Sequence, residues 1–150
     1  MVTAKLYPTE SPGQTITERN RMKALIFPKF DLNTTSNRIS TALLLVRLVM
    51  GVAFILHGYA KITNAFGWMG PDAPVPGALQ ALAALSEFGG GIALILGLLT
   101  PLASLGLIVT MAVAVFFHVS KGDPMVQGYE PALVYLALAL LFFLAGPGRF

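Results

Sequence analysis

After a polar N-terminal stretch, four long apolar segments alternate with short polar breaks. They run from about Ile39 to Ile62, Ala78 to Leu99, Leu102 to Val119 and Pro131 to Ala145. A helical span needs about 20 apolar residues, with a range of roughly 17–25. The first two segments have that length, and the third is close to the lower limit. The fourth reaches it only if its helix extends back past Glu130. The run from Gly91 to Leu99 carries no polar side chain on any face, whereas a soluble bundle needs polar outer faces. The breaks are chemically sensible. Asn64 to Gly77 is rich in turn residues and carries Trp68, a residue suited to a membrane interface. Thr100-Pro101 makes a tight turn, Lys121-Gly122-Asp123-Pro124 opens the third loop, and Gly146-Pro147-Gly148 stops the last helix. The pattern predicts an all-α polytopic membrane protein, a four-transmembrane-helix bundle with a polar N-terminal tail.

Composition agrees. Apolar residues make up 55% of the 150 and charged residues 11%, against roughly 25% charged in soluble domains. Mean hydropathy is +0.73. No cysteine is present, so disulfides and thiolate chemistry are excluded. The net charge of +3 does not form a basic patch with interleaved aromatics, so no nucleic-acid partner is expected. The basic residues concentrate in residues 1–38, read as a cytoplasmic, partly disordered tail before a membrane domain over 39–150. Thr15-Ile16-Thr17-Glu18 is a candidate capping box for a short helix up to Pro28. The basic stretch is too long for a secretory signal peptide, and no small-residue cleavage site follows the apolar run. Lys5, Arg19, Arg21, Lys23, Lys29 and Arg38 lie in the tail and Arg149 near the C-terminus, while Lys61 and Lys121 lie on the opposite side. The positive-inside rule therefore predicts both termini in the cytoplasm of a cell whose plasma (inner) membrane the chain crosses.

A charge in hydrocarbon costs at least ~2.5–3.5 kcal/mol, so each one near the spans needs a partner or a task. The candidates are Arg47, His57, Lys61, Glu87, His118 and Glu130. Helical periodicity puts Arg47, Gly51, Phe54, Gly58 and Lys61 on one stripe, with His57 at its edge. It puts Gln80, Glu87, Gly91 and Leu94 on one face of the second helix, flanked by Gly90 and Gly97. Small residues permit close helix approach in lipid, so these stripes are expected to face inward. Glu87, well inside its helix, must be protonated, paired or facing water. Its partner is open between Arg47, Lys61 and a histidine. Bland roles exist for the others: snorkelling for Lys61 and Arg47, a satisfied core or interfacial residue for each histidine, helix capping for Glu130. The stretches Met50–His57 and Met111–His118 resemble each other, and each precedes a helix carrying a glutamate. This weak repeat is compatible with two duplicated hairpins.

The ordered set Arg47-Leu48-Val49-Met50-Gly51, His57-Gly58-Tyr59-Ala60-Lys61, Glu87-Phe88-Gly89-Gly90-Gly91, Gly97-Leu98-Leu99-Thr100-Pro101, Glu130 and Gly146-Pro147-Gly148-Arg149-Phe150 resembles the DoxX family of small membrane proteins. The resemblance spans residues 43–150. It implies a four-helix membrane protein tied to redox metabolism, with relatives that are subunits of quinone-linked oxidoreductases or terminal oxidase systems. Family members usually continue past the glycine-proline-glycine turn, so the chain is expected to be cut short there.

Two functions follow as expectations. In the first, a redox-associated subunit binds quinone or quinol at a charged cluster in the outer half of the bundle. Glu87, His118 and Glu130 would handle protons, and Arg47, His57 and Lys61 would bind the head group or complete the cluster. Quinone needs an apolar slot with donors to its carbonyl oxygens. In the second, the chain is a non-catalytic assembly or anchoring subunit of a larger redox complex, or a homo-oligomer, and the cluster is structural. Two histidines and two glutamates would also suit a metal or a haem, but no Glu-x-x-His pair accompanies them and no metal site is assigned.

Overall fold

The computed structural model describes residues 32–150. The expected basic tail and the candidate capping box fall largely or wholly outside these residues. All regular structure among the described residues is helical: α1 Leu32–Ile62, α2 Gly77–Leu96, α3 Thr100–Ser120 and α4 Glu130–Ala145. Residues Asn37–Phe150 form one compact unit. Each helix, taken with its flanking turn, is long and apolar enough to cross a membrane: 27 residues over Ser36–Ile62, 20 over Gly77–Leu96, 21 over Thr100–Ser120 and 21 over Met125–Ala145. The chain is a four-helix membrane bundle. Two boundaries differ from the sequence pattern. The first helix is already formed at Leu32, the first described residue, ahead of the apolar run at Ile39. The second stops at Leu96 rather than Leu99.

The stop has a local cause. Gly97 takes a left-handed conformation (φ 69°), and the Leu98 N–H donates to Ala93 O at 3.0 Å. This closure suits glycine, which has no Cβ to clash. Pro101 then opens α3, where its missing N–H costs nothing. The segment Met125–Tyr129 is a turn rather than regular helix, with Gln127 at φ 67°. Pro131 follows Glu130 at the start of α4. Regular helix thus starts at Glu130, and the preceding turn supplies the rest of the fourth span.

Met50, Phe54, Leu94, Leu107, Met111, Ala139 and Phe142 form the buried core. Phe54 packs on Tyr135 of α4 with ring centroids 4.9 Å apart. Helices α1 and α2 touch backbone to backbone. A Cβ built on Gly91 would lie 2.7 Å from Gly51 O, and one on Gly58 would land on the Phe88 main-chain nitrogen. Hydrophobic pressure is absent between helices in lipid, so such close van der Waals contact is a main source of their association. It also brings the inward polar stripes of α1 and α2 together.

Candidate functional site

Glu87 lies ten residues after Gly77, the first of α2, so it is about 15 Å along that helix. That is roughly half the thickness of the hydrocarbon layer. Its side chain is 2% exposed. The glycine contacts at Gly51–Gly91 and Gly58–Phe88 set the register of α1 against this face. Lys61, one turn beyond Gly58, reaches Glu87 with Nζ at 2.5 Å from Oε1 and 2.7 Å from Oε2. The periodicity left Glu87's partner open; the tertiary contact makes it Lys61. Both carboxylate oxygens are occupied by one ammonium, a charge-assisted arrangement that offsets part of the cost of removing both ions from water.

A cavity of about 890 Å³ opens beside this pair, between α2 and α3. Lys61, Glu87, Trp68, Gln80, Ser86 and His118 line its polar parts. Leu79, Leu82, Leu102, Leu105, Val109 and Val113 line its walls and are largely exposed on the bundle. In a bilayer these walls face acyl chains, so the cavity is open sideways to lipid. A volume in this range, mostly apolar with a few convergent polar groups, is typical of a small-molecule site. Lys61 commits two N–H groups to Glu87 and keeps a third. His118 Nδ1 lies 2.7 Å from Asp123 Oδ2. With the carboxylate as acceptor Nδ1 carries the proton, which leaves Nε2 as the ring's second polar atom. The spacing did not point to Asp123; its only trace is a loop carboxylate five residues after His118.

The other candidates lie elsewhere. Arg47, 2% exposed, donates from Nη1 to Pro147 O at 2.7 Å and from Nη2 to the main-chain oxygen of Phe150 at 2.8 Å. It therefore neither pairs with Glu87 nor points out as a snorkelling residue, but ties the segment after α4 to α1. Arg47→Met is expected to lower stability by about 2–3 kcal/mol, since hydrogen bonds to a charged group are each worth ~1.5–3 kcal/mol. Helicity followed through an SDS titration measures the loss, and limited carboxypeptidase digestion should show the C-terminal segment released. His57 is exposed on α1, its ring 6.3 Å edge-on from Tyr135. Glu130 is exposed in the first turn of α4, where the helix dipole favours a carboxylate. The two histidines and two glutamates of the sequence repeat thus have unlike surroundings. Among the described residues no three His, Asp or Glu side chains gather as a metal-binding group.

The comparisons place this geometry in a family. An uncharacterized protein of Haemophilus influenzae is 40% identical over 109 residues, covering 69% of this chain and 81% of the relative. An Escherichia coli K12 protein named inner membrane protein YqjF is 32% identical over 119 residues, covering 71% of this chain and 85% of the relative. No solved structure matches the chain significantly. The DoxX family model matches residues 42–119, a stretch that holds the Lys61–Glu87 pair, the glycine contacts that align it and the α2–α3 walls of the cavity. The chain belongs to the DoxX family.

Proposed function

We propose that this protein is a redox-associated subunit that binds a quinone or quinol in the cavity between α2 and α3, with the Lys61–Glu87 pair at its polar end. The observation that supports this most is the coincidence of a buried ion pair with a lipid-facing apolar cavity of about 890 Å³. A quinone head needs donors for its carbonyl oxygens. The third Lys61 N–H and His118 can supply them, and the leucine and valine walls suit an isoprenoid tail. Glu87 holds Lys61 in place, and the His118–Asp123 pair is the group placed to exchange a proton with the head. Arg47, His57 and Glu130 lie outside this site. The tail's Lys and Arg residues favour cytoplasmic termini in a bacterial inner membrane, the location in the name of the Escherichia coli relative.

The test is lipid extraction and spectroscopy on protein purified in mild detergent, wild type against Glu87→Gln. The wild type is expected to retain quinone and the variant to lose most of it. Equal retention by both would remove the ion pair from the site. A second reading has its own support: Lys61 engages both Glu87 oxygens, as a purely structural clasp would. An empty wild type that co-purifies with a larger oxidoreductase would favour that assembly or anchoring role.

A further inference from the structure

We infer that Trp68 is a positioning residue of the site and that Gln80 is the staple that holds it there. This rests on the quinone-site reading above and extends it to the 63–76 loop. The Lys61 ammonium is 4.6 Å from the Trp68 ring centroid, within the ~6 Å over which a cation is attracted to an aromatic face. Trp68 also lines the cavity. Sequence alone suggested only an interfacial belt residue; here the indole covers the ammonium on a side that Glu87 does not occupy.

The indole is pinned rather than loosely laid. Trp68 Nε1 donates to Gln80 O at 3.0 Å. The Gln80 side chain, on a residue 3% exposed, accepts from Met69 N at 3.1 Å and donates to Val75 O at 2.9 Å. Main-chain and side-chain atoms of one buried glutamine thus hold three points of a loop rich in glycine and proline. Buried amides are seldom satisfied this fully without fixing their surroundings. The consequence is directional. With Glu87 on one side and the indole on another, Lys61 has one N–H left, aimed by both partners. A carbonyl-bearing ligand meets a prepositioned donor and does not have to order a flexible lysine on binding.

The chain has a single tryptophan, so its fluorescence reports this contact without ambiguity. In lipid nanodiscs, decylubiquinone is titrated by calorimetry, with Trp68 emission read in parallel where the residue is kept. Trp68→Phe should bind a few-fold more weakly than wild type but better than Trp68→Ala, because a ring face remains while the bond from Nε1 to Gln80 O is lost. Trp68→Ala should bind roughly tenfold more weakly, and Gln80→Ala several-fold more weakly, because it keeps the main-chain acceptor of the indole but releases the loop at Met69 and Val75. Lys61→Met should shift the emission of Trp68 with no ligand present. That readout does not depend on whether the loop variants fold. Wild-type affinity in Trp68→Ala and Gln80→Ala, or unchanged emission in Lys61→Met, would overturn the role of Trp68 while leaving the quinone site intact. A wild type that binds no decylubiquinone would instead overturn the quinone reading itself.

Discussion

Lys61→Met is expected to lower the unfolding free energy by about 3–5 kcal/mol, the usual consequence of removing one partner from a buried ion pair. The reason is position. Glu87 is 2% exposed near mid-span, and among the described residues no other side-chain hydrogen bond reaches its carboxylate, so without Lys61 a carboxylate is stranded in a low-dielectric interior. The reverse substitution should be milder. Lys61 is 25% exposed and close to the end of α1, so in Glu87→Leu its flexible stem can turn toward water, and a loss of about 1–3 kcal/mol is expected. Lys61→Met/Glu87→Leu together should be nearer to wild type than Lys61→Met alone, because two apolar groups leave nothing unpaired. Helicity followed through an SDS titration gives all four corners of the cycle. Strictly additive losses would show that the two side chains do not act as a pair in the membrane.

The second large effect concerns residues with no chemistry of their own. Gly58→Ala places a methyl on the Phe88 main-chain nitrogen, and Gly91→Ala places one 2.7 Å from Gly51 O and 2.9 Å from Ile55 N. These obstacles are backbone and cannot rotate aside, so α1 and α2 must part. A cost of about 2–3 kcal/mol is expected for each, at the upper end for overpacking. Function should suffer more than stability. Lys61 meets Glu87 only because the helices touch at these glycines, so the quinone retention proposed above should fall as far as in Glu87→Gln. Gly89→Ala is the control: its new methyl would meet the Leu85 side chain, Cδ1 at 3.4 Å and Cγ at 4.0 Å, and alanine is the better helix former. It should be neutral or slightly stabilising and keep its ligand. Equal losses at all three positions would contradict the close-contact account.

Much of the fold was legible because a bilayer leaves few options. Backbone polar groups in hydrocarbon must be satisfied within the segment, so an apolar run of about 20 residues becomes a helix. The inward faces were legible for the same reason. Arg47, Gln80 and Glu87 recur with glycines at helical spacing and are buried, since lipid offers polar groups no shelter. The candidate site was legible only as a set of charges. Periodicity gives a residue its face and depth on its own helix, but not its partner on another.

What the sequence determined by itself, then, is the membrane bundle, its four spans and the short list of costly polar residues. The tertiary structure decided how that list divides. Lys61 and Glu87 pair because close contacts at Gly51–Gly91 and Gly58–Phe88 fix the register of α1 on α2 to within a side chain's reach. Arg47 goes instead to main-chain oxygens of Pro147 and Phe150, a hundred residues or more along the chain. His118 meets a loop aspartate, while His57, at the equivalent place in the repeat, is left on the surface. The 63–76 loop brings Trp68 onto Lys61 through a glutamine that the sequence presents as just another helical residue. Burial cost acts on each residue singly and can be read along a helix. Ion pairs and hydrogen bonds act only at contact distance, and helix packing decides which atoms come that close.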